Sequence, residues 1–128
     1  MAEKAVVRTD DAPAPFQGAP YSQAIRAGDF VFVSGQVGML PGQTEPTGAI
    51  EEQTEQAFAN LRAILQASGT SLEKLVKTTV FLQSMGDFQA MNSVYAKHVG
   101  ENPPARSTVE VAKLPAGALV EIEAVAHL

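Results

Sequence analysis

Five apolar residues at helical spacing, Ala57, Phe58, Leu61, Ile64 and Leu65, constrain this chain more than any other feature. They draw one apolar stripe along a helix, and such a stripe must be buried against a second layer. Glu51, Glu52 and Glu55 stand near the start of this helix, where its dipole favours acids. Gly69 is placed to end it as a left-handed C′ residue. A second stripe, Phe88, Met91, Tyr95 and Val99, predicts a helix that starts within 84–87 and stops at Gly100, ahead of Pro103-Pro104.

The remaining ordered segments read as strands. Val76 to Leu82, Ala105 to Val111 and Leu119 to Ala126 are rich in β-branched residues. Phe30-Val31-Phe32-Val33 is a continuous apolar run that reads as a buried strand, with Gln23 to Ala27 as its hairpin mate across Gly28-Asp29. Ala5 to Thr9 forms a short first strand. Proline and glycine mark 10–20, 39–48 and 113–117 as irregular segments or turns. Strands, helix, strand, helix, strands is the order of an α+β fold: a two-layer sandwich of a mixed sheet packed against two helices. The length, 128 residues, fits a single domain over 1–128.

Composition narrows the function classes. At 45% hydrophobic, the chain can build a core without disulfides or metal. It has no cysteine, which removes thiolate catalysis and Cys-ligated metal and is compatible with a cytoplasmic address. The net charge of −5 argues against nucleic acid or an anionic membrane as the main partner. Residues Met1 to Arg8 are broken by charges and show no leader, and no apolar run reaches the roughly 20 residues of a membrane span. Phosphate-binding glycine motifs are missing. Ser34-Gly35-Gln36-Val37-Gly38 lacks the leading glycine of a nucleophile elbow, since Phe32 stands there. His98 and His127 lie far apart and read as a helix-surface and a tail histidine.

A few polar residues interrupt this pattern. Arg106 follows Pro103-Pro104-Ala105 at the entrance to a strand, where a rigid lead-in would fix a guanidinium able to hold a carboxylate through two parallel hydrogen bonds; an ordinary surface ion pair is the alternative. Glu121 and Glu123 share one strand face, opposite Val120, Ile122 and Ala124. Either that face is simply wet, or one carboxyl sits in a partly dry cleft with a raised pKa suited to proton transfer. Tyr21 stands in a Pro/Gly-rich loop, and Asn92 on the second helix.

Taken in order, Ala19-Pro20-Tyr21-Ser22-Gln23-Ala24, Ser34-Gly35-Gln36, Val76 to Leu82, Asp87-Phe88, Met91-Asn92, Tyr95, Pro104 to Val111, Leu114-Pro115 and Val120 to Ala126 resemble the Rid family of reactive intermediate deaminases across nearly the whole chain. The resemblance implies a chorismate-mutase-like fold and a homotrimer with sites between subunits. It implies hydrolysis of enamine and imine intermediates, such as 2-aminoacrylate and 2-iminobutanoate, to 2-keto acids and ammonia, with no cofactor and no metal. By position, Arg106 would bind the substrate carboxylate, and Glu121 would activate water and shuttle protons to the departing nitrogen. Tyr21 would close the pocket, Gly35 and Asn92 would line it, and the Thr108 backbone N–H would donate to substrate. Many family members carry Cys where this chain has Thr108. The alternatives are a non-enzymatic module that binds a small carboxylate, or a holdase-like protein, on the same fold. A ribonuclease role suits the acidic balance least.

Overall fold

The elements that build the layers are β1 (Ala5–Val7), β2 (Ala24–Ala27), β3 (Phe30–Val37), α1 (Ile50–Ala67), β4 (Leu75–Leu82), α2 (Phe88–Val99), β5 (Ala105–Glu110) and β6 (Val120–His127). They come from a computed structural model that describes residues 3–128; Met1 and Ala2, where the reading of the N-terminus begins, lie outside the described residues. One six-stranded sheet runs in the order β1-β2-β3-β6-β4-β5. Its neighbours are antiparallel except β4 and β5, which are parallel and joined through α2. A parallel pair needs such a crossover, because a tight turn only reverses the chain. The expected two-layer α+β sandwich with a mixed sheet is the one observed. Among the described residues no helix is long and apolar enough to cross a membrane.

Helix α1 buries its predicted stripe completely: Ala57, Phe58, Leu61, Ile64 and Leu65 are fully inaccessible. Glu52 reaches back from the first turn to accept the Ala49 N–H at 3.0 Å. At the other end Gly69 has φ +88°, and the Thr70 and Gly69 N–H groups return to the Leu65 and Gln66 carbonyls. That double bond pattern is a Schellman stop, and it needs the left-handed conformation that glycine adopts without strain. In α2, Met91 and Tyr95 enter the core as expected, and Val94 joins them.

Both helices cover the same face of the sheet, and the other face is open. The Phe30–Val33 run therefore departs from the buried strand expected of it. Val31 and Val33 point inward, whereas Phe30 and Phe32 are 44% and 47% exposed. Val6, Ile25, Phe32 and Val125 lie side by side through the strand registers, so an apolar band crosses the open face.

The buried polar side chains of α1 tie it to the ends of strands. Asn60, fully buried, donates to the carbonyls of Val37 and Met39 at 3.1 and 2.8 Å. Gln53 donates to the Gly48 carbonyl and accepts the Leu119 N–H. Gly38 permits this approach, because a Cβ there would lie 2.6 Å from the Gln53 backbone. Asn60→Ala strands the Met39 carbonyl and leaves the Val37 carbonyl with the Met39 N–H alone, and an unsatisfied buried group costs about 1–3 kcal/mol. Urea denaturation should show a loss of that size; an unchanged midpoint would mean that water or a relaxed loop replaces the side chain.

Candidate active site

Glu121 is made distinct from Glu123 by an irregularity in its neighbour strand. The β3–β6 register shifts between Val33 and Gln36, so that Val33 opposes Ala124 and Val37 opposes Glu121. The extra residue forms a bulge at Ser34-Gly35, a device that locally bends a strand and re-aims side chains. The Glu121 carboxyl lies over the bulge: a Cβ at position 35 would come within 2.5 Å of its Oε2 and 2.8 Å of its carboxyl carbon. A side chain at position 35 would therefore push the Glu121 carboxyl from this place. The Ser34 hydroxyl donates to the Ser22 carbonyl at 2.6 Å, consistent with a bulge residue rather than a nucleophile.

A cleft opens beside this carboxyl, walled by Tyr21, Gly35, Gln36, Pro13, Phe16, Met39 and Ala116. Val37, Met39, Leu114 and Ala118 form a small separate core beneath it. The N-terminal wall is held by Gln23, whose buried amide exchanges hydrogen bonds with both backbone groups of Thr9 and also donates to Pro13 at 2.8 Å. Tyr21 is half exposed, and its hydroxyl accepts the Phe16 N–H at 2.7 Å, which leaves the hydroxyl proton free to donate into the cleft. Ala116 stands at φ +55°, a conformation a non-glycine residue rarely adopts outside a constrained turn.

The Glu121 carboxyl is raised above its ordinary pKa, first by burial and second by the charge of Glu123. Both effects disfavour the carboxylate form. Of the two readings that the strand pattern leaves open, the partly dry cleft is the one found for Glu121, whereas Glu123 is exposed.

Arg106 lies elsewhere. In the β4–β5 register it is level with Thr78, which is fully buried under the helices. Glu121 is level with Phe81, three residues along β4 and so on the opposite face. The Arg106 guanidinium carbon sits 4.6 Å from the Tyr95 ring centroid and 5.6 Å from that of Phe88. Asn92 falls between these rings at i+4 from Phe88, on the same stripe of α2. Among the described residues Arg106 makes no ion pair, so the ordinary surface pairing is not what holds it. Thr108, two residues on along β5, shares its face, and its buried hydroxyl has no hydrogen-bond partner among the described residues.

The six candidate residues thus fall into two groups within one chain. Tyr21, Gly35 and Glu121 come together on the open side. Arg106, Asn92 and Thr108 gather on the helix side near the sheet edge. The bulge and the bracing amides of Gln23 and Asn60 were not read from the sequence; the Pro/Gly-rich composition around Tyr21 was the one available signal for the wall. His98 is also not the surface residue expected. Its ring stacks on Phe58 at 4.5 Å, Nε2 meets Glu55 at 3.1 Å and Nδ1 meets Arg62 at 3.2 Å, so that it ties α2 to α1. Among the described residues no cluster of three or more acids and histidines could hold a metal ion.

The family model described as Endoribonuclease L-PSP matches residues 9–128. A RutC family protein of Pyrococcus horikoshii is 49% identical over 97% of this chain and 98% of its own. A 2-iminobutanoate/2-iminopropanoate deaminase of Dermatophagoides farinae is 42% identical over 98% of this chain and 97% of its own. Among solved structures, RidA from an Antarctic Psychrobacter superposes with TM-score 0.92 at 40% identity, covering 97% of this chain and 99% of that one. Escherichia coli TdcF with bound serine superposes with TM-score 0.88 at 34% identity, covering 97% and 98%.

The raised Glu121 pKa has a signed consequence. The folded chain holds that proton more tightly than the unfolded chain. The associated stability is fully present below the unfolded value of about 4.3 and is lost as pH rises through the folded value. Carboxyl NMR should show Glu121 titrating above a free glutamate, and Glu123→Gln should lower its midpoint. A midpoint that stays put in Glu123→Gln would show that burial alone sets it.

Proposed function

This chain belongs to the endoribonuclease L-PSP family, which includes the Rid and RutC proteins, and we propose that it hydrolyses enamine and imine intermediates to 2-keto acids and ammonia. The observation that carries this reading is the Glu121 carboxyl, partly buried over a glycine bulge at the wall of a cleft. A group so placed takes a proton from water more readily than an exposed glutamate does.

The chemistry asks little more. A protonated 2-imino acid is already electrophilic at C2. Arg106 receives its carboxylate through two parallel N–H bonds. Glu121 accepts a proton as water adds to C2, and returns it to the nitrogen of the tetrahedral adduct. Glu121 then takes the hydroxyl proton of the adduct as the C–N bond breaks to give the 2-keto acid, and passes it to the departing ammonia, which leaves as ammonium. The Tyr21 hydroxyl closes the cleft, Gly35 and Asn92 line it, and the Thr108 N–H donates to substrate. The unpartnered Thr108 hydroxyl, where many relatives have Cys, gives this pocket an additional hydrogen-bonding group. No step calls for a cofactor or a metal. Small substrates fit best, and 2-iminobutanoate and 2-iminopropanoate are the ones we assign.

Glu121 and Arg106 occupy opposite faces of one sheet, so a complete site needs a second copy. We assign a homotrimer in which the apolar open face is covered and each site takes Arg106 from one subunit and Glu121 from its neighbour. An exposed apolar band of this kind marks an interface. We place the activity in the cytoplasm. The net charge of −5 and the absence of a basic stripe oppose RNA as substrate, despite the family's description. A binding protein for small carboxylates would need Arg106 but not Glu121, and the serine held by the E. coli relative keeps that second reading in view.

One assay separates them. Chelator-treated protein mixed with freshly generated 2-iminobutanoate should accelerate ammonia release over buffer. Glu121→Gln should slow turnover by about 10²–10⁴-fold, the usual worth of a general acid or base, while still binding 2-ketobutanoate. Glu123→Gln should retain most activity. Arg106→Lys, which keeps the charge and loses the fork, should lose most turnover with little unfolding. No acceleration by the parent protein would favour the binding module, and a wild-type rate in Glu121→Gln would remove Glu121 from the chemistry.

A further inference from the structure

We infer that Tyr95 is a positioning residue that holds the Arg106 guanidinium in its substrate-binding orientation through its ring face. The inference rests on the reading of Arg106 as the carboxylate ligand, and it explains how that arginine is kept in place with no ion pair among the described residues. Fixing an arginine side chain costs rotamer entropy. A carboxylate partner would fix it but would also occupy its donors and neutralise the charge that substrate needs. An aromatic face attracts the cation from above and leaves the N–H groups in the guanidinium plane free.

The Tyr95 ring is itself pinned at two points. Its hydroxyl shares a buried 2.6 Å hydrogen bond with the Thr78 hydroxyl. Thr78 is the β4 residue level with Arg106, so ring and arginine are referenced to the same place in the sheet. Phe58 of α1 meets the ring edge-on, with centroids 5.3 Å apart and planes at 76°. Tyr95 is buried to 5% exposure and does not line the cleft beside Glu121. Its contact with the arginine is the route by which it reaches the chemistry.

Two variants separate positioning from packing. Tyr95→Phe keeps the ring and loses the Thr78 bond; it should lower the melting temperature while KM for 2-iminobutanoate stays near wild type. Tyr95→Leu removes the face; KM should rise by about three- to thirtyfold, the range of a cation–π contact, with a smaller change in kcat. In an Arg106→Gln background, Tyr95→Leu should cause no further loss of kcat/KM. The inference is overturned if KM follows melting temperature in both variants, or if Tyr95→Leu is equally damaging in the Arg106→Gln background. Binding of 2-ketobutanoate by calorimetry distinguishes the two levels of failure. Arg106→Gln binding as tightly as wild type removes the carboxylate role and this inference with it. Weak binding by Arg106→Gln beside normal binding by Tyr95→Leu removes this inference alone.

Discussion

A sheet covered by helices on one face only is the constraint from which the rest of this structure follows. Two helices bury the inward residues of β3, β4 and β6. Some outward residues of the same sheet are apolar as well, with Phe32 and Val125 adjacent across β3 and β6. The same geometry separates the functional groups. Period-two alternation sends Glu121 to the open face and Arg106 to the helix face. A single chain thereby keeps the two groups of candidate residues apart and leaves an apolar band uncovered, and these two features are the ground for the proposed homotrimer.

Precision at the site comes from buried amides rather than from the apolar core. Gln23 holds the segment that carries Pro13, and Asn60 holds the turn from Val37 to Met39. These segments are irregular, so their backbone groups have no ladder partners, and a side-chain amide supplies both a donor and an acceptor. Arg106 illustrates the complementary strategy. It lies against aromatic rings that make no claim on its hydrogen bonds, so its charge and donors stay available.

Much of this was legible in the sequence wherever local periodicity decides the outcome. The α1 stripe, the Gly69 stop and the alternation of β6 depend on neighbours three, four or two residues away. The run Phe30–Val33 misled because an uninterrupted apolar strand looks the same whether the helices or another subunit cover its second face. His98 misled because Phe58, Glu55 and Arg62 reach it from another helix. Glu121 and Glu123 are equivalent by periodicity. The bulge at Ser34-Gly35, more than eighty residues earlier in the chain, is what gives Glu121 its cleft. Only the family resemblance singled it out beforehand.

The proposed site shared between subunits can be tested by complementation. Two full-length inactive variants, Arg106→Gln and Glu121→Gln, can be co-expressed with different tags and the mixed oligomers isolated. In a three-membered ring built from one repeated heterologous interface, every mixed oligomer has one site of its three in which an intact Arg106 faces an intact Glu121. Mixed oligomers should therefore recover about a third of the wild-type rate of ammonia release, while each variant alone stays inactive. Mixed oligomers as inactive as their parents would contradict the shared site and place both residues' work within one chain.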